Sequence, residues 1–211
     1  MGATMAVDIM ADIMVGTINP DSLQIYLCRH GETEWTLAGR HTSYSDIPLT
    51  EKGRMQAVLL GKRLRGIKFR KIIVSPMIRA QETCNLTGID LPKVIEPNAM
   101  EWNYGQYEGL TTVQIREKKP KWNIFTDGAP NGESPDEISD RADRLLKSLM
   151  KQTGKIAIFS HAHFSRTLAA RWLGLTAEGG RYFHLSVASV SILGFEHKRH
   201  VIELWNDTGQ L

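Results

Sequence analysis

The chain has only two cysteines in 211 residues, Cys28 and Cys84. That excludes a disulfide framework and leaves too few thiols for a cysteine-based metal site. Cys28 falls in an expected buried strand and Cys84 in an expected helix, so both read as reduced and structural, and a cytoplasmic location is expected. No run approaches the roughly 18 apolar residues of a membrane helix, and no membrane partner is expected. The net charge is only +3. Nucleic-acid binders concentrate basic residues in a stripe, and no nucleic-acid partner is expected here. The nearest approach is Lys62, Arg63, Arg65, Lys68, Arg70 and Lys71, which read as a solvated face beside the negative end of a helix. Internal repeats and low-complexity tracts are absent. With 42% hydrophobic and 23% charged residues, the chain has the composition of an ordinary globular protein, long enough to bury one full core.

Residues 1–22 stand apart. They contain Asp8, Asp12 and Asp21 but no Lys or Arg, and lack the basic start and unbroken apolar core of a secretory signal. They are expected to be an added helix, a loose tail or sequence read from an upstream start, and carry no assigned function. The domain is expected to span residues 23–211.

Apolar runs predict strands at Gln24 to Cys28, Lys71 to Ser75 and Lys155 to Ser160, with a closing hairpin from Val187 to Phe195 and His200 to Trp205. Helical signals alternate with them. Thr50 caps a helix to about Leu64, with Met55, Leu59, Leu60 and Leu64 expected on one face. Ser134-Pro135-Asp136-Glu137 is a capping box with proline in the first turn, followed by Ile138, Ala142, Leu145, Leu146 and Leu149 at helical spacing. A further helix is expected from Phe164 to Leu173. This alternation predicts a three-layer α/β/α sandwich with a mostly parallel sheet. The stretch from Glu101 to Glu133 breaks the rhythm, carrying Trp102, Tyr104, Tyr107, Trp122 and Phe125 among Gly, Asn and Pro. Such excursions form binding walls or lids, or an aromatic mini-core.

Chemistry gathers at the strand ends. His30 follows the first strand and His161 the third, and open α/β sheets bind ligands at the carboxyl ends of their strands. Arg29 sits beside His30, and Arg79 lies one turn into the helix after the second strand, near a helix N-terminus that itself favours anions. Phosphoryl transfer needs positive groups around the equatorial oxygens, an in-line nucleophile and an acid for the leaving alkoxide. A neutral imidazole is a competent nucleophile when its other nitrogen is held, and the arginine fork matches phosphate oxygens. Glu101 opens the aromatic excursion, where a carboxyl partly withdrawn from water suits acid work.

These residues carry a family resemblance. The run Arg29-His30-Gly31-Glu32-Thr33, then Asp46-Ile47-Pro48-Leu49-Thr50 with Gly53, Ser75-Pro76 with Arg79-Ala80 and Thr83, Glu101 with Tyr104-Gly105 and Glu108-Gly109, Gly132-Glu133-Ser134, and Ser160-His161 with Arg166 is similar, block by block, to the histidine phosphatase superfamily, phosphoglycerate-mutase-like branch. The match runs from about residue 23 to 205. It implies that His30 is phosphorylated, that Arg29, Arg79 and His161 bind the phosphoryl group, and that Glu101 protonates the leaving oxygen and then activates water. It implies no metal and no cofactor. Glu108 is expected to brace a loop. The substrate is expected to meet Thr36, Thr42, Ser43, Tyr44, Trp102, Tyr104, Ala162 and His163, with Arg40, His41 and Arg166 shaping the pocket; His163 is equally readable as packing.

The family contains isomerases and hydrolases. Its mutases carry extra basic and Ser/Asn positions and a C-terminal tail over the site, whereas this chain continues only to Leu211 after the last expected strand. Thr36 stands in place of a frequent Asn, Ser43 and Ala162 in place of frequent glycines. The run from Glu101 to Leu110, with Trp122-Asn123-Ile124-Phe125 and Asp127-Gly128, resembles the acid phosphatase and sugar-bisphosphatase subgroups. A metal-independent phosphomonoesterase for small phosphate esters, sugar phosphates included, is therefore expected. The alternatives are a cofactor-dependent phosphoglycerate mutase and a non-catalytic phosphate-binding protein. Oligomeric state is left open.

Overall fold

Strand β1 (Leu23–Arg29) alternates its side chains between two apolar environments, and this alternation organises the molecule. The computed structural model describes residues 23–209; the expected N-terminal extension lies outside them. After β1 come α1 (Glu34–Leu37), α2 (Glu51–Leu64), β2 (Phe69–Val74), α3 (Ile78–Leu86) and the short β3 (Lys93–Ile95). The excursion holds α4 (Thr112–Lys118) and α5 (Ile124–Asp127), and the chain continues through α6 (Pro135–Leu149), β4 (Gly154–Ser160), α7 (Ala162–Trp172), β5 (Val190–Glu196) and β6 (Arg199–Asp207). The six strands form one sheet in the order β3-β2-β4-β1-β5-β6. The first four in that order run parallel, while β5 and β6 are antiparallel additions at one side.

Period-two alternation sends Leu23, Ile25 and Leu27 of β1, Ile73 of β2, and Ile156 and Ile158 of β4 to one face, where α6, α7 and the aromatic excursion cover them. Tyr26, Cys28, Ile72, Val74, Ala157 and Phe159 face the other way, against α2 and α3. The result is the expected three-layer architecture. Helix α6 follows its pattern: Ser134 accepts from the Glu137 amide in a complete capping box, and Ile138, Ala142, Leu145, Leu146 and Leu149 are buried.

Helix α2 departs from expectation. Thr50 is its N-cap, but the buried face is Gly53, Ala57, Leu60, Gly61 and Leu64; Met55 and Leu59 are exposed. The reason is close backbone approach. A Cβ on Gly53 would overlap the Glu32 carbonyl, and a Cβ on Gly31 would overlap the Gly53 carbonyl, so the face carrying the small residues turns inward. Gly31→Ala and Gly53→Ala are each expected to destabilise the fold by about 2 kcal/mol or more, the scale of overpacking in a tight interior. A urea midpoint equal to wild type in both variants would show that these backbones are not in contact.

Three further features were not anticipated. β3 is a short edge strand with all three residues exposed, so its buried-strand signal is weak. Local helices with their own caps, including the Thr111–Gln114 capping box of α4, structure the excursion. Arg63, expected to be solvated, bonds the carbonyls of Ala188 and Thr208. Both cysteines are free and buried, as expected.

Candidate active site

The parallel register pairs Arg29 of β1 with Ser160 of β4. His30 and His161 are therefore the first residues beyond one matched rung, at the same height on adjacent strands. The His30 amide extends the ladder to the Ser160 carbonyl at 3.1 Å, and the two imidazole centroids lie 5.2 Å apart. His30 Nδ1 is 2.7 Å from the Gly31 carbonyl oxygen. A carbonyl can only accept, so Nδ1 carries the proton and Nε2 presents its lone pair. Burial, then the Arg79 and Arg29 charges, hold the His30 pKa well below the ordinary 6.5, keeping the ring neutral.

Arg79, in the first turn of α3, is wholly buried. Its Nε donates to His161 Nδ1 at 3.2 Å, its Nη1 to the Ser45 carbonyl, and its Nη2 to the carbonyls of Thr42 and Ser43. Because Nδ1 accepts, the proton of His161 is on Nε2, which bonds Ser75 Oγ at 2.7 Å. Both nitrogens of His161 are thus engaged by protein groups. Burial, then Arg79 and the neighbouring His30, push its pKa well down. Arg29 is less committed: Nη1 donates to the Leu185 carbonyl at 2.5 Å, while its buried Nε has no partner among the described residues. The first amide of α3, that of Ile78, is taken by Asp46 Oδ1 at 2.7 Å, so this helix end is not the open anion site that the position of Arg79 suggested.

Glu101 meets the start of α7. Its Oε1 accepts from the amides of Trp102 (2.9 Å) and Phe164 (2.8 Å), and its Oε2 from that of His163 (3.1 Å). His161, the N-cap, makes no side-chain cap; Glu101 fills that role from another segment, where a carboxylate complements the helix end. The α7 amide of His163 is consequently engaged by Glu101. Arg141 secures the segment, donating to the carbonyls of Asn98, Met100 and Glu101 and pairing with Glu133 at 2.7 Å. Glu108 accepts from the amides of Ser43 and Ser45 and so braces the loop, as expected. Of the three carboxylates near the crevice, Glu101 alone has, among the described residues, no side-chain cation bonded to it and no loop to brace.

The expected substrate contacts divide. Trp102 is fully buried, with its Nε1 on the Glu133 carbonyl and its ring against Phe125; it is a core residue, and the expectation is corrected. Its size and position facing α6 and α7 decide this, since the aromatic excursion packs as part of the main core. The Thr36 hydroxyl is bound up in the Thr33 capping box of α1, and Thr42 Oγ1 donates to the Arg40 carbonyl. Ser43 is buried, its Oγ without a partner among the described residues, whereas Tyr44 is 63% exposed. Ala162 is half-buried at the first position of α7. Tyr104 and His163 come together, with Tyr104 Oη 2.5 Å from His163 Nδ1. Arg166 bonds the carbonyls of Gly180 and Arg181 and lies over Phe125; Arg40 lies over Trp35. Sequence reasoning missed Ser75 as the partner of His161, although its place after a strand was a usable signal. It also missed Arg141, whose position inside an ordinary amphipathic helix carries no local signal. Among the described residues no group of three His, Cys, Asp or Glu side chains has metal-site spacing, and no helix is long and apolar enough to cross a membrane.

The buried imidazoles predict a pH response. His30, His161 and His163 all have pKa values held well below 6.5 by burial. Below pH 6.5 the unfolded chain binds protons that the folded chain does not, so stability falls as pH falls through this window. Each such imidazole contributes up to about 1.4 kcal/mol per pH unit. The urea midpoint is expected to drop between about pH 7.5 and 5.5, above the range where carboxylates titrate; a flat midpoint would contradict neutral burial of these rings.

Comparison with known proteins adds an independent finding. The family described as histidine phosphatase superfamily (branch 1) matches residues 25–208. The chain is similar to an acid phosphatase of Mycobacterium tuberculosis, 41% identical over 82% of this chain and 87% of that protein. It is also similar to a sedoheptulose 1,7-bisphosphatase of Saccharomyces cerevisiae, 32% identical over 71% of this chain and 67% of the other. The solved structure of an open-reading-frame product of Mycobacterium tuberculosis superposes with a TM-score of 0.85 at 38% identity, covering 89% of this chain and 98% of that one.

Proposed function

The chain belongs to the histidine phosphatase superfamily, and from that premise we propose that it is a phosphomonoesterase that hydrolyses small-metabolite phosphates, sugar phosphates among them, through a phosphohistidine. The observation that carries this reading is the hydrogen bond from His30 Nδ1–H to the Gly31 carbonyl, which leaves the Nε2 lone pair free on a ring kept neutral by burial and two arginines. In the first step Nε2 attacks phosphorus and the bond to the ester oxygen breaks. Glu101 gives a proton to that departing oxygen; its Oε2 accepts only one hydrogen bond among the described residues and has the free capacity. In the second step Glu101 takes a proton from water as the water oxygen attacks phosphorus, the P–N bond breaks, and inorganic phosphate leaves.

Positive charge is supplied by Arg29 and Arg79, with His161 holding Arg79 at Nε. Arg29, with one side-chain hydrogen bond among the described residues, is the less committed of the two guanidiniums. The similarity to an acid phosphatase and a sugar bisphosphatase supports the hydrolytic direction, and the free, buried cysteines support a cytoplasmic location. Incubation with an aryl phosphate tests the reading directly. Phosphate release is expected, with a base-stable, acid-labile phosphoenzyme trapped on rapid quench; no release anywhere between about pH 4 and 8 would refute it.

A further inference from the structure

Beside the reacting groups stands a wall of rings: His41, Tyr104, Phe125 and His163. The His163 ring lies 5.8 Å from Tyr104, 5.9 Å from His41 and 5.3 Å from Phe125. Its backbone amide is bonded to Glu101 Oε2, so the imidazole is one residue's reach from the carboxyl that serves the leaving oxygen. It also lies within electrostatic range of Arg29.

Which nitrogen carries the His163 proton follows from Tyr104. The phenol is 2% exposed, and its oxygen has one hydrogen-bond partner among the described residues, His163 Nδ1 at 2.5 Å. Were the phenol to accept from Nδ1–H, its own proton would be buried without an acceptor, which is costly. The phenol therefore donates, Nδ1 accepts, and the proton of the neutral ring is on Nε2. Burial, then Glu101 and Glu108, raise the Tyr104 pKa and keep the phenol protonated. Burial, then Arg166, His41 and Arg29, keep His163 from taking a second proton. His163 Nε2–H has no protein acceptor among the described residues, and the residue is only half-buried.

We propose that His163, its tautomer set by Tyr104, donates Nε2–H to a hydroxyl or ring oxygen of the alcohol half of the substrate, and so selects phosphate esters of polyhydroxylated alcohols over aryl esters. This rests on the phosphomonoesterase reading and names its substrate class. His41 is neutral, its pKa lowered to about 4 by burial, and its Nε2 is 3.3 Å from Thr112 Oγ1. Tyr104 and Phe125 are buried behind His163, so the half-buried His41 is the neighbouring ring open to a hydroxylated ligand. His163 is a specificity residue; Tyr104 is a positioning residue that acts through it.

The test compares ribose and glucose monophosphates with para-nitrophenyl phosphate, using full-length wild type, His163→Leu, His163→Gln and Tyr104→Phe. The ratio of kcat/KM on sugar esters to that on the aryl ester is expected to fall about tenfold or more in His163→Leu, the scale of losing a hydrogen bond to a desolvated group. His163→Gln, whose amide nitrogen reaches the Nε2 position, is expected to restore part of the ratio. Tyr104→Phe is expected to lower it because both tautomers of His163 become populated. An equal fall on all three esters, or an unchanged ratio, overturns the proposal, since a ring that merely supports Glu101 would affect every substrate alike. Proton–nitrogen correlation spectra give a readout independent of turnover and of the leucine variant's folding. Wild type is expected to show His163 as the Nε2–H tautomer, and an Nδ1–H tautomer would overturn the inference. A wild type inactive on every ester would instead refute the phosphomonoesterase reading.

Discussion

Replacing His30 with alanine is expected to lower phosphate release by about a thousandfold or more, equivalent to about 4 kcal/mol at the barrier, with the fold retained. The size follows from what is lost. The Arg29 and Arg79 charges proposed to attract the anion remain, but the lone pair proposed to attack phosphorus is gone, and water must attack without the covalent step. The fold survives because the one side-chain hydrogen bond of His30 among the described residues is to the carbonyl of the next residue; the close contact between Gly31 and Gly53 is made by backbone. Quenched incubations should show no phosphoenzyme in the variant, while inorganic phosphate still raises its melting temperature by binding. Retention of more than about a tenth of the wild-type rate would show that another group is the nucleophile.

Glu101→Gln is expected to lower kcat by about a hundredfold or more on alkyl phosphates, the scale of a general acid. The loss should be smaller on para-nitrophenyl phosphate, whose leaving oxygen needs little help from a proton. Glutamine also turns one polar donor toward the amides of Trp102, His163 and Phe164 that now donate to Glu101, so the N-terminus of α7 should be destabilised by about 1 kcal/mol. The two effects separate by measurement: the leaving-group dependence reports proton transfer, and the urea midpoint reports the cap. Equal losses on both esters would mean that Glu101 acts only by holding α7. Full activity on alkyl esters would remove it from the mechanism.

Much of this architecture is legible in the chain. Strands β1, β2 and β4 announce themselves as apolar runs, and α6 by its Ser134 box and proline. The parallel sheet follows from their alternation with helices. That His30 and His161 share one crevice also follows, since both end a strand and strand ends collect ligands. The legibility ends where side chains meet backbone from distant segments. Met55 and Leu59 have the periodicity of a buried face, yet Gly53 and Gly61 occupy it, because a face that must admit another backbone selects small residues over apolar ones. Trp102 has the composition of a binding wall and sits in the core.

By itself, then, the sequence determined the layers, the strand ends and which polar side chains stand at them, because hydrophobic period and capping are local signals. Only the tertiary structure decided how those side chains are employed. Arg79 directs its donors to the carbonyls of residues 42, 43 and 45, Glu101 caps a helix sixty residues away in the chain, and Tyr104 sets the proton on His163. A hydrogen bond depends on where an acceptor lies to within a few tenths of an ångström. Which acceptor that is becomes defined only when the loops between the strands have closed.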